Sequence, residues 1–555
     1  MNEPIAIIGS GCRLAGGCDS PSTLWTLLQQ PYDVSEDIPP NRIPPTRHNA
    51  SPRGYFLSQD VAKFDASFFS LNPLEAQAMD PQHRLLLETV YEALEKAGMP
   101  VETLRGSDTA VYTGAMFHDY LALSSQDPDA ISTYHITGTA PNKASNRISH
   151  FFDWHGPSVT VDTACSSSLV ALHHAVQQLR TGSSQLAIAA GANLLLDGRP
   201  FIGFSNLGML SPTGSCKMWD TSADGYARGE GILALLLKPL SRALADGDHI
   251  QCVIRETGVN HDGRTSGITL PSASAQVNLI QDVYRRAGLD PTHPRDRPQY
   301  IEAHGTGTQA GDPLEAEALA TAFALPSTAD HHEDGPPVLV GSIKTVVGHT
   351  EGAAGLAGVL KASLALQHGR IPPNLGFHTL NPKVAPYCTH LSVATTAEAW
   401  PEQPSTGSAT SPRRASVNSF GFGGTNAHVI LESVERHQVV PPTASAAAGD
   451  ATPSTIPVSS SLLPYVFSAA SERSLVAMLQ RYNEYLQAHP SIDPAHLAST
   501  LIDQRSLLPV RIRFPASSVQ VLQEQLAQAL ASESFTSTVG HRSQVRDAHI
   551  LAIFT

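Results

Sequence analysis

Residues 158–168 read Ser158-Val159-Thr160-Val161-Asp162-Thr163-Ala164-Cys165-Ser166-Ser167-Ser168, and the reading of the whole chain starts from them. The β-branched run is a strand pattern. Leu169, Leu172, Val176 and Leu179 then recur at helical spacing, and Gly182 is placed to end the helix. Cys165 therefore stands at a strand-to-helix turn, where free backbone N–H groups and the positive end of the helix dipole favour a thiolate. An ordinary cysteine, with a pKa of about 8.5, is only about 3% ionised at pH 7. A helix terminus worth up to ~2 kcal/mol lowers that pKa by about 1.5, enough to make roughly half of it thiolate. A lone cysteine more often packs as a small hydrophobe. The hydroxyl-rich turn and two histidines favour the nucleophile.

His304 ends the apolar run Tyr300-Ile301-Glu302-Ala303 and enters the loop Gly305-Thr306-Gly307-Thr308. A helix is expected next, with Asp312 as its cap, Pro313 in the first position and Glu315 in the first turn. His349 follows the strand pattern Val338 to Ile343, with Lys344 between them and the glycine-rich helix Glu351 to Gly358 after it. With 24 histidines in the chain, either one alone is weak evidence. Two on strand-to-loop-to-helix junctions like that of Cys165 form a constellation, because ligands of open α/β sheets bind beyond the carboxyl ends of the strands.

These residues carry a close resemblance. The stretches around Cys165 (VDTACSSSL), His304 (EAHGTGT) and His349 (GSIKTVVGHTEGAAGLAG), with Asn418 to Leu431 (NSFGFGGTNAHVIL), resemble the β-ketoacyl synthase domain of a type I polyketide synthase. The opening Glu3 to Gly9, the segment Asp80 to Leu85 and Ala223 to Gly231 are similar to the same family, in unbroken order over roughly residues 3 to 435. The resemblance implies the α/β thiolase fold, two βα halves stacked as α-β-α-β-α layers, with Cys165 in the first half and both histidines in the second.

The resemblance also implies the chemistry. Cys165 takes the growing acyl chain from a carrier thioester. Loss of CO2 from a malonyl thioester generates an enolate, and its oxyanion needs hydrogen-bond donors. Neutral His304 and His349 are the matching Nε2–H donors, with Lys344 disfavouring a second positive charge. The backbone N–H groups of Cys165 and Phe422 form the oxyanion hole at the cysteine, and Phe422 is also the gate between the malonyl site and the acyl pocket. Gly421 to Gly424 let backbone approach the substrate. Thr306 and Thr308 resemble hydroxyls that hold a phosphopantetheine arm. No cofactor is expected on the chain itself, since its substrates ride on the 4′-phosphopantetheine of an acyl carrier protein. One departure stands out: Val346-Val347 occupies positions where the family more often has Asn and an apolar residue, which removes a possible hydrogen bond near the site.

Composition agrees. The 41% hydrophobic content over 555 residues indicates a globular protein of two to four domains. A net charge of −14 argues against nucleic acid or an anionic membrane as partner. Six dispersed cysteines without a Cys-x-x-Cys pair suit a reducing compartment, and no apolar run is long enough for a membrane span, so a cytoplasmic protein is expected. Ile5 to Ile8 reads as a first strand, too short for a signal peptide.

Residues 1–435 are expected to form the thiolase-fold domain, with a polar surface insertion at 402–414. Residues 436–461, rich in Pro, Ala, Ser and Thr, read as a flexible linker. Residues 462–546 read as a small α/β unit resembling a ketosynthase–acyltransferase linker domain, and 547–555 as the first strand of an acyltransferase, which makes the chain a fragment of a larger protein. By the resemblance its partners are an acyl carrier protein, the neighbouring domains and a second copy in a homodimer.

Other readings compete. A papain-like protease also orders Cys, His and Asn, with Asn418 or Asn426 in the last role, but leaves the second histidine and Lys344 unexplained. A Cys–His–His metal site lacks an evident fourth ligand. A non-catalytic scaffold of the same fold and a fatty acid synthase ketosynthase complete the set.

Overall fold

The computed structural model describes residues 2–40, 42–43, 53–324, 336–402, 412–435, 437 and 462–531. Nearly all of the linker 436–461, most of the insertion 402–414, residues 532–546 and the acyltransferase-like strand 547–555 lie outside them. The chain divides into two units, Met1–Ala97 with Leu104–Val439, and Gly98–Thr103 with Val440–Thr555.

The first unit is built twice over. Strands β1 (Ile5–Leu14), β2 (Ala110–Ala115), β3 (Ser158–Val161), β4 (Ala187–Asn193) and β5 (Gly231–Pro239) lie side by side in the order β3-β2-β4-β5-β1. β2 runs parallel to both neighbours, and β5 antiparallel to both of its own. Strands β6 (Cys252–His261), β7 (Tyr300–Glu302), β8 (Val338–Gly341), β9 (Leu391–Val393), β10 (Arg414–Phe420) and β11 (Thr425–Glu432) repeat the plan as β8-β7-β10-β11-β6, with β9 added outside β8. The directions repeat as well. The first strand of each half pairs with its counterpart, Ile5 opposite Ile254 and Ile7 opposite Cys252, so the halves join into one eleven-stranded array.

Helices α1 (Pro81–Lys96) and α2 (Lys143–Phe152) cover the outer face of the first half. Helix α3 (Ser167–Arg180) lies on its inner face. Helices α4 (Ala273–Ala287) and α5 (Gly311–Ala322) cover the outer face of the second half, and α6 (Ala354–His368) its inner face. Central helices α3 and α6 pack on each other, completing the five layers that the resemblance implied. Every residue of α6 from Ala354 to Leu366 is buried, as a helix enclosed on all sides requires. Gly355 makes that possible, because a Cβ there would stand 2.6 Å from the Cβ of Leu169 on α3.

In the second unit β12 (Leu463–Ala469) pairs antiparallel with β13 (Val510–Ala516). Helices α7 (Glu472–Ala488), α8 (Pro494–Asp503) and α9 (Val519–Ala531) close a core around Phe467, Leu475, Leu479, Leu501 and Leu522. Ser471 and Asp493 cap α7 and α8. Within this unit the Val101 N–H donates to Ser506 Oγ at 3.1 Å. No helix among the described residues is long and apolar enough to cross a membrane.

Candidate active site

Strand β3 leads straight into the turn that carries Cys165. Ala164, just before it, has φ +57, a left-handed conformation that costs an L-residue about 1–2 kcal/mol. The hydroxyl-rich sequence holds this elbow. Asp162 Oδ1 accepts from the Ala164 N–H at 3.0 Å, Ser167 Oγ from the Thr163 N–H at 2.9 Å, and Ser166 Oγ donates to the Thr163 carbonyl at 2.9 Å. From the second half, Ser419 Oγ donates to the Cys165 carbonyl at 2.8 Å. Gly421 packs so closely on this elbow that a Cβ there would lie 2.4 Å from the Thr163 carbonyl oxygen.

His304 leaves β7 into the Gly-Thr-Gly-Thr loop. The carboxylate of Glu315 on α5 fixes that exit, accepting from the N–H groups of His304 (2.7 Å) and Gly305 (2.8 Å) and from Asn418 Nδ2 (3.0 Å). Its ring Nδ1 accepts from the Phe420 N–H at 3.3 Å. His349 is placed by a short helix, Lys344–Val347, and its Nδ1 accepts from the Glu351 N–H at 3.2 Å. An imidazole that accepts at Nδ1 carries its proton at Nε2 when neutral. Both rings therefore present Nε2–H, with centroids 5.5 Å apart and planes nearly perpendicular. The His349 Nε2 is buried and has no partner within the protein.

Cys165, His304, His349, Thr306, Thr308 and Phe422 all line one cavity of about 420 Å³. Lys344 stands buried beside it, 3% exposed. The two threonine hydroxyls are 3.1 Å apart. Phe422 is 38% exposed and leans edge-on against Phe204, with centroids 5.9 Å apart. Val346 and Val347 are absorbed into the central hydrophobic core, so the positions where an amide was missed are filled by apolar packing.

Electrostatics corrects one expectation. Burial pushes the Cys165 thiol up to about 12, and the Glu351 carboxylate adds to it. The Phe422 N–H, Lys344 and the Cys165 N–H pull the other way, in that order, and do not prevail. Loss of hydration outweighs the helix terminus, so the resting thiol is protonated and the half-ionised thiolate expected from the sequence is not present. The sign is simple: an acid whose pKa is raised stays neutral until the pH approaches the raised value. Alkylation of Cys165 by iodoacetamide should rise about tenfold per pH unit from pH 7 to 10. A plateau beginning below about pH 9 would show that the helix terminus had won after all.

The histidines behave as expected. Burial, Lys344 and then His349 hold His304 well below the ordinary histidine range. Burial, Lys344 and then Arg228 do the same for His349. Burial also holds Lys344 down, while the carboxylates of Glu302 and Glu315 raise it. Asp312 is a second correction. Helix α5 begins at Gly311, so Asp312 lies inside its first turn, and its carboxylate ties down the Gly307 and Trp219 N–H groups at 3.0 and 2.8 Å.

Sequence reading gave no role to Glu315, Ser419 or Phe420, and no signal in their own spacing exposes one. Arg228 and Glu351 lie inside quoted motifs, and only the fold brings them together.

The family model described as "Beta-ketoacyl synthase, N-terminal domain" matches residues 2–243, its C-terminal domain 251–378, and "Ketoacyl-synthetase C-terminal extension" 381–512. The hybrid PKS-NRPS synthetase poxE of Penicillium oxalicum is 53% identical over the whole of this chain, which spans 13% of it. The lovastatin nonaketide synthase mokA of Monascus pilosus is 52% identical over 95% of this chain, which spans 17% of that protein. The ketosynthase from module 6 of the bacillaene synthase of Bacillus subtilis 168 has a TM-score of 0.80 at 35% identity, covering 95% of this chain and 85% of that one. The oxazolomycin ketosynthase domain of Streptomyces albus reaches 0.83 at 34% identity, covering 95% and 89%. A thiolase-fold condensing enzyme is the class that fold and site define. The chain belongs to the β-ketoacyl synthase family and is similar to the ketosynthases of polyketide synthases.

Proposed function

We propose that this chain catalyses the decarboxylative Claisen condensation of a Cys165-bound acyl chain with a malonyl unit carried by an acyl carrier protein, extending a polyketide. The observation that carries the reading is the convergence of Cys165 with two imidazoles whose Nδ1 atoms are both occupied as acceptors, leaving Nε2–H for the cavity.

Loading is thioester exchange. Cys165 Sγ attacks the carrier-bound carbonyl, the oxyanion rests on the Cys165 and Phe422 N–H groups, and the carrier thiol leaves with the cysteine's proton. The malonyl carrier then enters, its phosphopantetheine arm against Thr306 and Thr308. The C–CO2 bond breaks, its electron pair passes into the enolate, and the enolate oxygen takes hydrogen bonds from His304 and His349. The enolate carbon attacks the acyl carbonyl, Cys165 leaves as thiolate and recovers a proton from water, and the β-ketoacyl carrier departs. Burial, and after it Lys344, keeps both imidazoles neutral, which makes them donors rather than competing acids.

The wider setting is part of the proposal: a cytoplasmic megasynthase in which residues 462–546 join this domain to an acyltransferase. A homodimer is supported by β3, an edge strand of the array whose Val159 is 43% exposed. Light scattering should give twice the 59.0 kDa chain mass at micromolar concentration, and a stable monomer would count against it.

The reading is tested with separately prepared acyl carrier and malonyl carrier. The chain should convert them to β-ketoacyl carrier, weakly, because the effective concentration of a covalent tether is lost. With malonyl-CoA alone it should form little extended product. Turnover of malonyl-CoA at the carrier-bound rate would overturn the carrier dependence.

A further inference from the structure

Segment Tyr226–Gly229 grips His349 from three sides. The His349 N–H donates to the Ala227 carbonyl at 2.8 Å, and the His349 carbonyl accepts from the Gly229 N–H at 2.9 Å. The Tyr226 ring meets the imidazole edge-on, with centroids 5.1 Å apart. Arg228 lies between those two backbone contacts. Its side chain forks onto Glu351, Nε to Oε1 at 2.6 Å and Nη2 to Oε2 at 2.9 Å. Both residues are 1% exposed. Phe117 and Phe201 flank the guanidinium, with ring centroids 4.8 and 4.6 Å from its carbon.

Glu351 is the residue whose N–H donates to His349 Nδ1, and it does so from φ +46, a conformation that L-residues avoid. Such strain persists only where surrounding structure enforces it. A bidentate ion pair taken wholly out of water is a poor source of stability compared with apolar side chains of the same volume. Its place here, tied at both ends to one imidazole, has a geometric explanation instead.

We propose that Arg228 and Glu351 form a positioning clamp for His349, in which the fork holds Glu351 in its left-handed conformation so that its N–H stays on Nδ1 and Nε2–H faces the cavity. The clamp rests on the reading of His349 as an enolate donor. Neither residue lines the cavity, so both act through His349 and not on the substrate.

The test removes the fork without stranding a charge. The double variant Arg228→Met/Glu351→Gln should lower kcat for decarboxylation of malonyl carrier roughly 10- to 100-fold, the scale expected when a reacting group is misplaced by about 1 Å. KM for malonyl carrier should stay within about threefold, and acyl loading on Cys165 should not fall by more than that. The decisive readout is a mutant cycle. Adding His349→Ala to the clamp variant should bring the total loss to that of His349→Ala alone and no further, whereas adding His304→Ala should cost its full wild-type factor. A full His349→Ala penalty on top of the clamp variant, or wild-type decarboxylation by that variant, overturns the clamp. If His349→Ala in the unmodified chain leaves decarboxylation unchanged, the donor reading itself fails. Should the double variant not fold, Glu351→Gln alone, which keeps the arginine hydrogen-bonded among its aromatic rings, is read through the same cycle.

Discussion

Cys165→Ala abolishes covalent loading: incubated with an acyl thioester, the variant gains no acyl mass, while the unmodified chain gains one acyl group. The change removes one sulfur atom from a turn held by other residues. Ser166, Ser167 and Asp162 keep their hydrogen bonds, and Ser419 still reaches the carbonyl of residue 165. The fold should lose only about 1 kcal/mol, the scale of one buried methylene. The chemistry has no substitute nucleophile. The cavity's other hydroxyls, on Tyr226, Thr269, Thr306 and Thr308, are far weaker nucleophiles than a thiol, and no other cysteine lines it. Condensation should therefore fall by at least ~10⁴-fold, as when a covalent nucleophile is removed elsewhere. Decarboxylation of malonyl carrier should continue, because the imidazoles are untouched. Intact-protein mass spectrometry is the check, and undiminished acylation of the variant would remove Cys165 from its role.

Much of this molecule is legible in the chain because its strand-to-helix junctions have strong local signatures. The run Ser158 to Val161 is a strand with those bounds, and Gly182 follows α3 with φ +73. The duplication of the two halves is implied by the family resemblance but has no signature of its own in the residues. Strand order and direction repeat, but nothing in packing requires the same side chain at corresponding places, so the sequence bears no visible repeat. The thiol's protonation is hidden from the sequence for a related reason. A helix terminus can be located from sequence, whereas burial depends on a cavity wall that includes Phe422 and His304, and the opposing Glu351 carboxylate comes from yet another distant segment. In the sequence Glu315 is only a first-turn residue. Its carboxylate organises the His304 exit because β7, α5 and β10 converge there, a fact of tertiary structure alone.

His304→Ala or His349→Ala should slow decarboxylation of malonyl carrier roughly 10²–10³-fold, the usual loss for one oxyanion donor, while acyl loading changes by much less. The division follows from geometry. The thiol's own oxyanion partners are backbone N–H groups, which neither substitution removes, whereas the enolate depends on Nε2–H. The His349 Nε2 is buried with no partner within the protein, so no protein group competes with a substrate oxygen for its N–H. Replacement by glutamine, which keeps an N–H donor, should recover part of the loss at either position. The pH dependence gives an independent check. Both imidazoles are held well below the ordinary histidine range by burial and by Lys344, so they remain neutral as pH falls through 6.5. Decarboxylation should then be flat between pH 6 and 8, with no inflection near the free-histidine value. Stability runs with the same sign: a base depressed in the folded state contributes stability that is present above its unfolded pKa and is lost as pH falls below it. A clear inflection near pH 6.5, or equal loss of loading and decarboxylation in both alanine variants, would mean that the imidazoles serve the nucleophile and not the enolate.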